Sequence, residues 1–189
     1  TRDLVSGRDL NSSSPAFAAD RMGNADSALR LGLDNDPNSY FWAPAGHYFG
    51  DEFTISLWVV IYQEVFRQRF VDFTTVKGDE QVAFGFLSYD LYPTVYIGSG
   101  YVESPTLLTL NIWSHIAFTF SSKYEAKLYI NGLLVATKEL AAKSGQGYLA
   151  DSYFGKNSIK NMSLFNGALD EIKFFDRVLS HQEIVDDKN

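Results

Sequence analysis

The 189-residue chain contains no cysteine. That absence excludes disulfide staples, thiolate metal sites and cysteine nucleophiles together. Basic residues are in deficit: 16 Lys and Arg stand against 23 Asp and Glu, for a formal charge of −7. A phosphate-binding surface needs a basic face, so no nucleic-acid partner is expected. Long apolar runs are missing as well. The longest, Leu57 to Ile61, is far shorter than the roughly 20 residues of a membrane helix, and no direct membrane insertion is expected. The chain opens at Thr1 with neither a basic segment nor an apolar stretch of the secretory type. It reads as one domain, residues 1–189, taken from a larger protein, and it is long enough for a single core.

What is present is aromatic and strand-like. The chain carries 15 Phe, 11 Tyr and 3 Trp, and its dominant period is two. In Phe53 to Val59, apolar residues at 53, 55, 57 and 59 alternate with Thr54, Ser56 and Trp58, the pattern of a strand with one face in a core. Similar segments run from Ala28 to Leu33, Phe70 to Val76, Val82 to Leu87, Leu91 to Ile97, His115 to Phe120 and Ala168 to Phe175. Asn131-Gly132 lies between two strand-like runs and supplies the positive φ angles of a type I′ turn, which predicts a hairpin over Ala126 to Val135. About ten strands follow from this pattern. One helix is predicted, because Ser180-His181-Gln182-Glu183 has capping-box spacing. The fold class is all-β with a short C-terminal helix ending near Asp186 or Asp187.

Motifs of catalysis are sparse. His47, His115 and His181 lie far apart, without zinc spacing, and no Gly-x-Ser-x-Gly elbow, P-loop or dinucleotide fingerprint occurs. His115 reads as a structural hydrogen-bonding group, and Gly145-Gln146-Gly147 as loop. Asn11-Ser12-Ser13 and Asn161-Met162-Ser163 are N-glycosylation sequons. Asp34-Asn35-Asp36-Pro37-Asn38 places oxygen ligands at alternate positions, as an EF-hand loop begins. Ser39 stands where that loop needs Gly and Ala45 where it needs the bidentate Glu, so an EF-hand is excluded. The segment is either a solitary calcium-binding loop or a turn made by Asx hydrogen bonds.

The order of motifs in the last third is familiar. Trp113-Ser114-His115-Ile116-Ala117-Phe118-Thr119 is followed by Lys127 to Gly132 and then by Phe165 to Ser180. Upstream stand Asp3-Leu4-Val5-Ser6-Gly7, Asp20-Arg21-Met22-Gly23-Asn24 and Phe53 to Trp58. Taken together they resemble the laminin-G-like jelly-roll domains of the concanavalin A-like lectin/glucanase superfamily. The resemblance implies two antiparallel sheets packed as a jelly-roll sandwich, with the C-terminal strand beside an N-terminal one. It also implies an extracellular or cell-surface location, calcium as a candidate cofactor with Asp3 and Asp170 as further ligands, and a glycan or a cell-surface or matrix protein as partner.

Glucanases of that superfamily that use a carboxylate pair carry it as Glu-x-Asp-x-Glu or a close variant on one strand face. No Glu-x-Asp occurs in this chain, and Asp170-Glu171, being adjacent, should face opposite sides of a strand. Glycoside hydrolysis, lacking that pair, is the least favoured of three readings. A noncatalytic, lectin-like recognition domain acting in adhesion or targeting is the expected function, with a protein-interaction module as the alternative. Sugar rings stack on aromatic faces while amides and carboxylates bond their hydroxyls. The expected binding loops are Asn38, Tyr40 and Trp42, beside the calcium candidates Asp34 and Asp36, and a second loop holding Tyr148, Asp151 and Tyr153. Against the loop reading stands the one that Tyr40-Phe41-Trp42 is a further strand packing on the core, which is the more ordinary use of such a run.

Overall fold

The computed structural model describes residues 9–34, 36–75, 81–141, 148–159 and 162–189. Among these residues the chain forms thirteen strands and one helix: β1 (Phe17–Ala18), β2 (Ala28–Leu31), β3 (Phe41–Trp42), β4 (Phe53–Ile61), β5 (Arg69–Thr75), β6 (Gln81–Phe86), β7 (Pro93–Ile97), β8 (Gly100–Glu103), β9 (Ser114–Phe120), β10 (Glu125–Ile130), β11 (Leu133–Glu139), β12 (Leu149–Phe154), β13 (Gly167–Phe175) and α1 (His181–Lys188). They build two antiparallel sheets. One has the order β1-β2-β13-β4-β9-β10-β11 and the other β3-β12-β5-β6-β7-β8. The strands predicted from alternation are present, and the C-terminal strand pairs with N-terminal β2 through Leu29↔Leu169 and Leu31↔Gly167.

The inner faces meet in one core. Phe53, Ile55, Leu57, Val59 and Ile61 of β4 all point into it, opposite Phe73 and Phe154 of the other sheet. Each large side chain so buried contributes on the order of 1.5–3 kcal/mol. This is the destination of most of the aromatic excess. The outer face of β4 is covered too, because Thr54, Ser56 and Val60 are almost without exposure. Thr54 is hydrogen-bonded there to the Arg177 carbonyl and the Leu179 N–H just before α1, and Val60 packs with Ala28 and Ala168. α1 itself seats Ile184, with Leu179, on Ala117 and Tyr129 of the neighbouring strands β9 and β10. The helix begins as its sequence predicts. The Ser180 hydroxyl accepts from the Glu183 N–H while the Glu183 carboxylate accepts from the Ser180 N–H. Arg177 and those cap bonds hold the Glu183 carboxyl down at about 2.

The predicted hairpin is β10–β11, with Asn131 at φ 51° and Gly132 at φ 80° as a type I′ turn demands. Leu128 and Ile130 face the core, and Tyr129 packs beneath α1. One loop expectation is corrected. Residues 149–154, expected as a loop around Asp151 and Tyr153, form β12 between β3 and β5; its alternation is short, so only pairing with a neighbour reveals it. Phe41-Trp42 is the strand that the sequence offered as an alternative to a binding loop, with Phe41 in the core and Trp42 facing out. Gly145-Gln146-Gly147 lies outside the described residues, as does Asp3-Leu4-Val5-Ser6-Gly7.

Candidate functional site

Alternation in β3 and β12 sends Phe41 and Phe154 inward, as one register pair, and Trp42 and Tyr153 outward as the next. Tyr40, two residues before Trp42, joins them. Its ring centroid lies 6.0 Å from that of Trp42 and 5.7 Å from that of Tyr153, the latter pair nearly perpendicular at 84°. All three are half-buried. The two expected binding loops thus supply one aromatic cluster at a sheet edge. The fourth member is a cation: Lys156 Nζ stands 4.3 Å from the ring centroids of both Tyr40 and Tyr153.

The chain leaving β12 is fixed so that Lys156 arrives there. Gly155 adopts φ 82° and donates its N–H to Phe70 O at 2.9 Å. Beyond Lys156, Asn157 Nδ2 donates to Arg67 O, and the Ser158 N–H reaches Asp72 Oδ2 at 3.3 Å. Asp72 is fully buried and also accepts from the Thr74 hydroxyl at 3.0 Å. It lies beside Tyr153 in a register row that crosses the whole sheet, Trp42–Tyr153–Asp72–Ala83–Tyr96–Tyr101. In the middle of that row Arg69 lies over the Tyr96 ring, 4.1 Å from its centroid, and donates from Nη1 to Phe86 O. Gly85 makes room there, since a Cβ would meet Gln68 O at 2.2 Å. Burial pushes the Tyr96 phenol upward against the pull of Arg69. The centre of the row is closed, and its open surfaces are the Trp42 end and the Tyr101 end.

The remaining candidates disperse. Asn38 is exposed, and its N–H donates to Asp36 Oδ1 at 2.9 Å. Tyr148 is exposed and packs edge-on against His47, 5.6 Å away, roughly 17 Å along the strand from Tyr153 at strand rise. Asp151 pairs with Thr74 through the backbone of β12. Asp34 and Asp36 line a shallow open depression of about 420 Å³ with Pro37, Val65 and Asn166. Asp36 receives hydrogen bonds on both oxygens, from the Asn38 N–H and the Ser14 hydroxyl, and these hold its carboxyl below the usual value. That is the Asx turn. Asp170 lies elsewhere. The β2–β13 pairing puts it beyond Leu29 at one end, whereas Asp34 and Asp36 lie beyond Leu31 at the other. Asp3 is outside the described residues. Among the described residues no group of three or more His, Asp or Glu side chains could hold a metal ion.

Asp170 and Glu171 require a correction. They were expected on opposite sides of β13, yet Arg21 Nη1 reaches both, at 3.6 and 2.6 Å. A register shift between Asp170 and Lys173, with Glu171 at φ 45°, breaks the alternation. Burial pushes the Asp170 carboxyl upward. Burial acts on Glu171 too, but Arg21 and Lys173 outweigh it and hold that carboxyl below its ordinary value. On the same outer face Ser56, His115 and Asp187 meet, a grouping the sequence hides. Ser56 Oγ lies 2.9 Å and Asp187 Oδ2 3.3 Å from the same His115 Nε2, and Ser56 also donates to Asp187. A Ser–His–Asp relay needs its two partners on different ring nitrogens. Here Nδ1 is buried without a partner, and the imidazole is 1% exposed. The group ties α1 to the sheet, and His115 is a hydrogen-bonding residue as expected.

No curated protein sequence matches the chain. Solved structures do, at low identity. Domain 4 of AbnA, a GH43 extracellular arabinanase from Geobacillus stearothermophilus seen in complex with arabinotriose, superposes with a TM-score of 0.76 at 19% identity, covering 96% of this chain and 87% of that one. The binding domain of Paraclostridial Mosquitocidal Protein 1 gives 0.76 at 18% identity, covering 100% of this chain and 49% of that one. The CBM40 of Ruminococcus gnavus IT-sialidase, bound to α2,3-sialyllactose, gives 0.61 at 15% identity, covering 79% and 96%. These likenesses establish the fold. The family itself is settled by sequence: the laminin G model of the concanavalin A-like lectin/glucanases superfamily matches residues 34–185, and this chain, with its two-sheet sandwich, belongs to that superfamily.

Proposed function

We propose that the protein is a noncatalytic recognition domain that binds carbohydrate at the β3–β12 edge, acting outside the cell in adhesion or targeting. The observation that carries this reading is the juxtaposition of Tyr40, Trp42 and Tyr153 as half-exposed rings on one outer face. Such rings offer stacking surface to sugar C–H faces at low conformational cost. Support also comes from the AbnA domain and the CBM40, which were solved with bound oligosaccharides. The noncatalytic half rests on chemistry: no Glu-x-Asp pair is present, and Ser56 and Asp187 compete for one histidine nitrogen.

A glycan array tests the reading, run with calcium and again with chelator. Wild-type protein should give hits that Trp42→Ala weakens at least about tenfold, the loss typical of a central aromatic anchor. An array without hits would sink the carbohydrate reading. A second reading, binding of a protein receptor, has its own observation. Edge strand β11 exposes Leu133 at 67% and Leu134 at 48%, and an exposed apolar strand edge is a pairing surface. Binding lost on Leu134→Lys and retained in Trp42→Ala would favour it.

A further inference from the structure

We infer that the β3–β12 site prefers glycans carrying an anionic group, a carboxylate or a sulfate, seated at Lys156; the inference rests on the carbohydrate reading above. Lys156 is held in the corner of two near-perpendicular rings, at 4.3 Å from each centroid. A ring face attracts an ammonium through its quadrupole, but it neither neutralises the charge nor uses up all three N–H donors. Several other cations among the described residues are engaged by acids or carbonyls: Arg21, Lys127, Lys173 and Arg177 are ion-paired, and Arg30 and Arg69 donate to main-chain carbonyls. Arg67 and Lys138 each lie over a single ring, Phe66 and Tyr101, away from the β3–β12 cluster. Lys156 forms no ion pair among the described residues. An uncompensated, pre-positioned cation on a surface of formal charge −7 marks where a ligand's negative charge is welcome.

The position suits one sugar residue. Trp42 and Tyr153 are direct cross-strand partners, about 5 Å apart in backbone spacing. A ring stacked on Trp42 can therefore turn an acidic substituent toward Lys156. Lys156 already occupies one side of Tyr40 and Tyr153, which leaves Trp42 as the main stacking surface. A charge-assisted hydrogen bond is roughly twice as strong as a neutral one, enough to order a series of otherwise matched ligands.

The test is a titration of lactose, 3′-sialyllactose, lactose 3′-sulfate, arabinotriose and oligogalacturonate against wild type, Lys156→Met and Lys156→Arg. Thermal melts confirm that each variant is folded. Wild type should favour at least one acidic ligand over its neutral counterpart by about tenfold or more, and the ratio should shrink with added salt. Lys156→Met should bring that ratio near one, while Lys156→Arg keeps most of it. Preference for sialyllactose without the sulfate, or the reverse, identifies carboxylate or sulfate as the anion. Equal binding of acidic and neutral sugars by wild type, or a preference that survives Lys156→Met, overturns the inference and leaves the carbohydrate reading standing. Failure to bind any sugar overturns both.

Discussion

Asp187 shows what a single side chain does in this fold. It projects from α1 and meets Lys173 Nζ at 2.8 Å, His115 Nε2 at 3.3 Å and the Ser56 hydroxyl. Burial raises its pKa, but the hydrogen bonds from His115, Lys173 and Ser56 outweigh burial and hold the carboxyl well below the ordinary aspartate range. A carboxyl depressed in the folded state adds stability at neutral pH, and that stability fades as pH falls below the unfolded value of about 3.9 toward the folded one. Asp187→Asn should thus cost about 1.5–3 kcal/mol at pH 7, the range for hydrogen bonds to a charged group. The difference from wild type should shrink between pH 5 and pH 2 in urea unfolding curves. Parallel pH profiles for the two proteins would show that Asp187 is not part of the acid response. None of these contacts is legible in sequence, since Ser56, His115 and Asp187 stand on β4, β9 and α1.

Short elements carry the second lesson. The Asp34–Asn38 segment was readable as a calcium loop or an Asx turn, and the hydrogen bonds on Asp36 favour the turn. Melts in 1 mM calcium and in chelator should therefore coincide within about a degree; a rise of several degrees with calcium would show an ion bound to the folded state. Asp36→Ala should lower the melt equally in both conditions. The strand β12 is hidden for a different reason: it mixes Asp151 and Ser152 with apolar residues and lacks the period to stand out. β3, two residues long, is legible only as an alternative to a loop. By contrast β4, the Asn131-Gly132 hairpin and the Ser180 cap each satisfy a local rule, and each was placed from sequence.

At the scale of the whole molecule, β13 decides whether a sandwich exists. It lies between β2 and β4 in the seven-stranded sheet, and Leu169 is part of the core. A chain ending at Asn166 loses an interior strand and the helix beyond it, uncovering the edges of β2 and β4. Such a truncation should show no cooperative melt and no near-ultraviolet circular dichroism. A cooperative transition in the truncated chain would mean that the remaining strands form a stable core without β13. The Trp42 site, on the other sheet, would be lost with the rest, because its geometry depends on both layers being packed.

What the sequence determined by itself is what neighbouring residues dictate: period-two strands, a type I′ hairpin, a capped helix, and motifs in the order of a known superfamily. It also named Tyr40, Trp42 and Tyr153, because exposed aromatics near polar loops suit sugar. Tertiary structure alone decided that these three share one face, that Lys156 sits between two of them, and that Asp170 and Glu171 turn to the same Arg21. The physical reason is pairing. Strand register and one bulge juxtapose residues that are distant along the chain, and no local pattern encodes which strand a given segment will meet.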